Sequence, residues 1–70
     1  MRYVTLHVER DSITLFVDNN IVLRTWKENA NFTLHSQEVI DAWNLAKSYE
    51  KSATFLFRGH FVRENLSIVS

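Results

Sequence analysis

The sequence contains no cysteine, no proline and a single glycine, Gly59. Without cysteine, disulfides and thiolate metal sites are excluded. One glycine cannot build the glycine-rich loop that holds a phosphate group. No proline-rich or low-complexity stretch marks a linker, so we expect residues 1–70 to form one small domain.

Charge of one sign and long hydrophobic runs are missing as well. Eight basic and eight acidic residues give a formal net charge of zero, which disfavours non-specific nucleic-acid binding. No apolar run approaches the roughly 20 residues that span a bilayer. The first residues alternate between apolar and polar instead of forming a signal-peptide core. We therefore expect a cytoplasmic protein that does not contact membranes.

Arrangements typical of catalytic and metal sites are also absent from the sequence. His7, His35 and His60 lack the short spacing of metal ligands. No segment resembles a nucleophile elbow or an oxyanion loop. The sequence predicts a protein that is not an enzyme and that uses no metal or cofactor.

One stretch, residues 36–51, has a sustained helical period. Its apolar residues recur at steps of three and four, which places them on one helix face: Val39, Ala42, Trp43, Ala46 and Tyr49. Ser36 is the predicted N-cap. The pattern indicates an amphipathic helix that packs on a core, with Trp43 as its anchor.

The segments on both sides of this helix have patterns that indicate strands. Residues 3–9 and 12–17 alternate strictly, and residues 21–26 form a third strand. After the helix we predict two or three short strands, at residues 53–58, 60–63 and 66–69, with Gly59 supplying a positive φ at a turn or bulge. The predicted fold is a small α+β domain of order β-β-β-α-β-β.

The three N-terminal strands can be aligned by their apolar residues. A two-residue turn at Arg10–Asp11 pairs Val8 with Ile13. A three-residue loop over residues 18–20 would pair Val17 with Ile21. With both turns, the aliphatic side chains of this meander share one face, because a one-residue slip would send each to the other side. We expect the helix to dock on that face.

The opposite face of the meander then carries aromatic, basic and hydroxyl side chains. Among them, the residue types enriched at protein interfaces are Tyr3, Phe16, Arg24 and Trp26. These four residues are the candidate binding site for a partner protein or for a second copy of the chain. The leading hypothesis is a regulator or inhibitor that occupies a partner's surface.

Three other interpretations of this face remain open. The C-terminal segment FLFRGHFV could fold over it, or a second subunit could cover it. The face could instead bind nucleic acid, with cations from Arg2, Arg10, Arg24 and Lys27. Finally, the chain could be a self-assembling structural subunit, since an unprotected edge strand invites pairing with another chain.

Overall fold

The chain folds in the predicted order of elements. The computed structural model describes residues 2–63 and residue 65. Its elements are β1 (Val4–Val8), β2 (Ser12–Val17), β3 (Asn20–Trp26), α1 (Gln37–Tyr49), β4 (Thr54–Phe57) and β5 (His60–Phe61). This confirms the α+β class; the strand predicted at residues 66–69 lies outside the described residues. No helix within the described residues has both the length and the apolar character needed to cross a membrane.

The five strands form one mixed sheet in the order β3-β2-β1-β4-β5. Neighbouring strands are antiparallel except β1 and β4, which run parallel. A parallel pair needs a long crossover connection, and α1 lies in the segment that makes it. The first strand in the sequence is therefore the middle strand of the sheet.

The predicted register of β1 and β2 is confirmed. Val4 pairs with Val17 and Val8 pairs with Ile13. The connection is the predicted two-residue turn, since the N–H of Glu9 donates to the carbonyl of Ser12 at 2.8 Å. Local alternation and the length of the turn determined this pairing, because a one-residue slip would expose the aliphatic residues.

The predicted three-residue loop between β2 and β3 is wrong. The turn has two residues, Asp18 and Asn19, both in the left-handed region at φ 52° and 69°. Short polar side chains tolerate this conformation, which a two-residue hairpin of the primed type requires. Ile21 therefore pairs with Phe16 instead of Val17 and is exposed.

A β-bulge after this turn restores the predicted pairing further along β3. The register shifts between Leu15 and Phe16, so that Leu23 still lies opposite Leu15. A bulge places two residues opposite one and so changes the alternation by one position. Leu23 consequently packs against the core, whereas Ile21 leaves it.

The core lies between one sheet face and α1, which packs mainly on β1 and β2. Phe55 and Phe57 of β4 also belong to this core, and the Phe55 ring centroid lies 5.0 Å from that of Trp43. Phe32, in the loop before the helix, is also buried. The helix face predicted from sequence is thus the buried one.

The start of the helix differs from the prediction in one detail. Ser36 occupies the N-cap position with extended backbone angles, but its side chain does not cap a helix N–H. The Ser36 hydroxyl instead accepts the backbone N–H of Thr33 at 2.9 Å. Because Thr33 lies in the preceding turn, Ser36 stabilises the approach to the helix instead of its first turn.

Candidate functional site

The second face of the sheet, opposite α1, is not covered by residues 54–62. Instead of folding over it, β4 extends the sheet beside β1, and the N–H of Arg58 donates to the carbonyl of Val8 at 2.8 Å. This pairing directs Phe55 and Phe57 into the core. The intramolecular cover that we considered from sequence is therefore wrong for these residues, and cover by a second subunit stays a prediction.

A groove of about 670 Å³ runs over β1 on this face. Its floor and walls come from all strands except β3 and from three positions next to them; the lining residues are Tyr3, Thr5, His7, Glu9, Thr14, Phe16, Asn19, Thr54, Leu56 and Phe61. We call it the outer groove. The strand pairing accounts for its assembly, since Thr54, Thr5 and Phe16 form one cross-strand row and Phe61, Leu56, His7 and Thr14 form the next.

Exposed large hydrophobic side chains concentrate around this groove. Among the described residues there are six, and Tyr3 and Phe61, at 66% and 60% exposed, line the groove itself. Ile21, Val22 and Trp26 belong to β3. The sixth, Leu45, lies on the helix. Such clustering on one side of a small domain is typical of an interaction surface.

The groove carries little charge. Glu9 is its one carboxylate, and no lysine or arginine lines it. The His7 ring meets the Phe16 ring edge-on, with centroids 5.2 Å apart. The lining therefore combines aromatic side chains with three threonines. This chemistry suits apolar and uncharged polar groups, and it offers no cation to a phosphate.

Thr5 lies under the groove at the centre of the sheet. It is 6% exposed, and its hydroxyl is buried without a hydrogen-bond partner among the described residues. An unsatisfied buried hydroxyl costs free energy, because it has given up its hydrogen bonds to water. Thr5 is thus a local defect in an otherwise well-packed strand.

Replacing Thr5 by valine, which has the same shape and no hydroxyl, is expected to raise the free energy of unfolding by about 1–3 kcal/mol. Urea denaturation followed by circular dichroism would measure the change. Thr14→Val is the matched control, because Thr14 lies in the neighbouring strand on the same face and is only half-buried. Destabilisation by Thr5→Val would mean that the hydroxyl has a hydrogen-bond partner in solution.

The structure divides the four predicted binding residues into two pairs. Tyr3 and Phe16 line the outer groove. Arg24 and Trp26 lie on β3, outside the groove lining, at the edge of the sheet. The four residues do not form one patch of contacts, and each pair has its own surroundings.

The four cations of the nucleic-acid hypothesis are not brought together. The Arg2 guanidinium lies 5.7 Å from the centre of the Tyr49 ring, beside the end of the helix. Arg10 and Lys27 lie at the opposite end of the sheet, where the N–H of Lys27 donates to the carbonyl of Asp11. Arg24 stands alone on β3 among these cations.

Arg2 also joins the N-terminal segment to the residue that ends α1. Its backbone N–H donates to Glu50 Oε2 at 3.3 Å, and this hydrogen bond lowers the pKa of the Glu50 carboxyl. The contact has a structural role, because it ties the entry to β1 to the end of the helix. It leaves Arg2 far from the other three cations of the hypothesis along the sheet.

Two large apolar residues of the groove, Leu56 and Phe61, were not in the predicted site. The alternation of residues 55–57 places Leu56 on the opposite side of the strand from Phe55 and Phe57. The missing information was the neighbour of β4, because parallel pairing with β1 joins segments that are far apart in the sequence. No local pattern specifies that partner.

A second, smaller pocket of about 410 Å³ lies at the far end of the sheet. Arg10, Asp11, Asn29 and Asn31 line it, and both asparagines have positive φ. One Asp11 carboxylate oxygen is buried without a hydrogen-bond partner there. The described residues contain no group of three histidine or acidic side chains that could hold a metal.

Comparison of the chain with protein-family models, with curated proteins and with solved structures gives no match. The physical properties of the outer groove and its surroundings are therefore the basis for assigning a function.

Proposed function

We propose that this chain is a small non-enzymatic protein-interaction module that binds a partner protein through the outer groove. A regulator or inhibitor that occupies a partner's surface fits this description. The observation that carries the proposal is the presence of Tyr3 and Phe61, two largely exposed aromatic side chains, in the lining of one groove. A cytoplasmic location stays a prediction of the sequence.

The composition of the groove supports a protein as its occupant. Aromatic side chains are enriched among the residues that dominate binding energy at protein interfaces, and they act best in concave, desolvated sites. Phe16 and Leu56 provide an apolar floor that is already half-buried, so little further ordering is needed on binding. The surrounding polar residues, Glu9 and Asn19, correspond to the polar rim of a typical interface.

Nucleic acid is the weaker candidate. Binding to phosphate groups needs several cations on one surface, because most of the affinity comes from counterion release. Arg2, Arg10 and Lys27 lie at two ends of the molecule, and no lysine or arginine lines the outer groove. The aromatic side chains alone do not favour bases over an apolar protein segment.

Photo-crosslinking would test the proposal directly. A benzophenone amino acid in place of Phe61 should crosslink to a discrete protein in a lysate of the source cells, and Tyr3→Ala should abolish that product. The control places the same group at Leu45, the exposed hydrophobic residue on the helix, where no discrete product is expected. Equal products from positions 61 and 45, or crosslinks to nucleic acid alone, would contradict the proposal.

A further inference from the structure

The strand β3 forms one edge of the sheet, and its outer side has no partner strand among the described residues. At seven residues, Asn20–Trp26, it is the longest strand of the sheet. An edge of this length presents backbone N–H and C=O groups that can pair with another chain. Proline and inward-pointing charges, which often protect such edges, are absent from it.

The hydrogen bonds to β2 determine which backbone groups of β3 point outwards. The N–H of Lys27 donates to the carbonyl of Asp11 at 2.9 Å, so the backbone groups of Lys27 point towards β2. Successive residues of a strand alternate in direction. Thr25 therefore also bonds towards β2, whereas the backbone groups of Arg24 and Trp26 point away from the sheet.

This part of the edge is open and regular. The bulge in β3 lies at its other end, near Ile21. The loop that follows β3 turns inwards across the ends of the other strands, since the N–H of Phe32 donates to the carbonyl of Arg10 at 2.8 Å. Arg58 Nη2 holds the same loop by donating to the carbonyl of Phe32 at 2.8 Å. Neither element obstructs the outer side of residues 23–27.

Two exposed side chains accompany these outward backbone groups. Trp26 is 66% exposed, and Arg24 is exposed on the same sheet face. Within the described part of the chain, neither side chain makes a hydrogen bond, an ion pair or a ring contact. The Arg24 guanidinium and the Trp26 indole lie two residues apart on one strand face. In an antiparallel pair of copies, the guanidinium of each copy can therefore lie beside the indole of the other.

We propose that a second copy of the chain pairs antiparallel with β3 about a twofold axis at Thr25. In this register Arg24 lies opposite Trp26 of the second copy, and the reverse holds by symmetry. Each of these pairs joins outward-pointing backbone groups, and each sets a guanidinium beside an indole face, a favourable cation–π arrangement. Thr25 lies opposite its own copy, and threonine pairs across strands are themselves stabilising.

Electrostatic repulsion disfavours the neighbouring register, in which the twofold axis passes through Arg24. A twofold axis at Arg24 would set two guanidinium groups directly opposite one another, which is destabilising. The net charge of zero adds no overall repulsion between copies. The strand is thus complementary to itself in the register centred on Thr25, and this favours a second copy over an unrelated strand.

The core face gives a second reason for a second copy at this edge. Because α1 packs mainly on β1 and β2, Leu23 and Thr25 of β3 are only half-buried. A paired copy would extend the sheet and shield both residues from one side. The outer groove does not include β3 in its lining, so it would stay accessible in the dimer.

Cysteine crosslinking tests the register, since the chain has no cysteine of its own. The two Thr25 residues would form a non-hydrogen-bonded pair, with Cα atoms about 4.5 Å apart, a separation that a disulfide accepts. Thr25→Cys should therefore give a covalent dimer on mild oxidation. Lys27→Cys, more exposed but displaced from its copy along the strands, should stay largely monomeric under the same conditions. Equal crosslinking at both positions, or none at position 25, would overturn the proposal.

Molar mass in solution, measured by light scattering, gives an independent test. The wild-type mass should rise with concentration from the monomer value towards twice that value. Arg24→Pro removes an outward N–H without breaking the ladder to β2, and an edge strand tolerates proline at such a position. This variant should lose the dimer and keep its circular dichroism spectrum. A wild type that stays monomeric at every concentration, or a folded Arg24→Pro variant that still dimerises, would overturn the proposal; if the variant does not fold, the cysteine test decides.

Discussion

Phe55→Ala is expected to lower the free energy of unfolding by about 3–5 kcal/mol, the usual cost of removing a buried aromatic side chain. Phe55 is fully buried, lies opposite Leu6 in the parallel strand pair and packs its ring against Trp43. Through these contacts the Phe55 side chain, which belongs to β4, packs against both β1 and α1. Alanine at this position would leave a cavity between these elements.

This loss is large compared with the stability that a domain of 70 residues can have. At about 0.05–0.15 kcal/mol per residue, the total is roughly 4–10 kcal/mol. Thermal and urea denaturation should show a large shift or a variant that is unfolded at room temperature. The control is Leu45→Ala on the exposed helix face, which should change stability by less than about 0.5 kcal/mol. Similar effects of both substitutions would contradict the described core.

Tyr3→Ala and Phe61→Ala should each weaken binding to the partner protein by at least about 30-fold, because aromatic hot spots typically contribute 2 kcal/mol or more. Both side chains are largely exposed in the free chain, so neither substitution removes core packing. The expected result is a loss of affinity without a loss of stability. Titration calorimetry with the crosslinked partner, once it is identified, would measure the first quantity, and thermal denaturation the second.

Two controls make this prediction specific to the outer groove. Leu45→Ala removes an exposed hydrophobic side chain of the helix and should leave the affinity unchanged. Trp26→Ala removes an exposed aromatic side chain of β3 and should affect self-association more than partner binding. If Leu45→Ala weakened binding as much as Phe61→Ala, the partner would bind the helical side and the proposed function would be wrong.

Much of the fold could be predicted because its signals are local. The alternation in residues 3–9 and 12–17 determines both the strands and the β1–β2 register, since one face must bury its aliphatic residues. The helical period likewise placed Val39, Trp43 and Ala46 on the buried face. In these segments backbone preference and burial favour the same structure.

The β2–β3 connection could not be predicted from alternation alone. A three-residue loop and a two-residue turn followed by a bulge place Leu23 on the same face, and they differ only in the position of Ile21. Asp18 and Asn19 favour the two-residue turn, because both residue types accept a positive φ. That local signal competed with the apparent gain from burying Ile21.

The lining of the outer groove could be predicted only in part, because some of its residues come together through non-local pairing. Tyr3 and Phe16 belong to the N-terminal meander, whose geometry follows from short-range pairing. Leu56 and Phe61 enter the outer groove through the parallel pairing of β1 with β4, which links segments separated by the helix. Side chains brought together by such non-local pairing need the tertiary structure for their identification.

Chemical-shift mapping of the partner complex by NMR is the most direct test of the outer groove as the binding site. On addition of the partner, the largest amide perturbations should fall on the outer groove, at residues such as Tyr3, His7, Phe16, Leu56 and Phe61. The solvent face of α1, around Asp41, Asn44 and Ser48, should remain unperturbed. The largest perturbations on that helix face, with the groove unchanged, would contradict the assignment of the outer groove as the binding site.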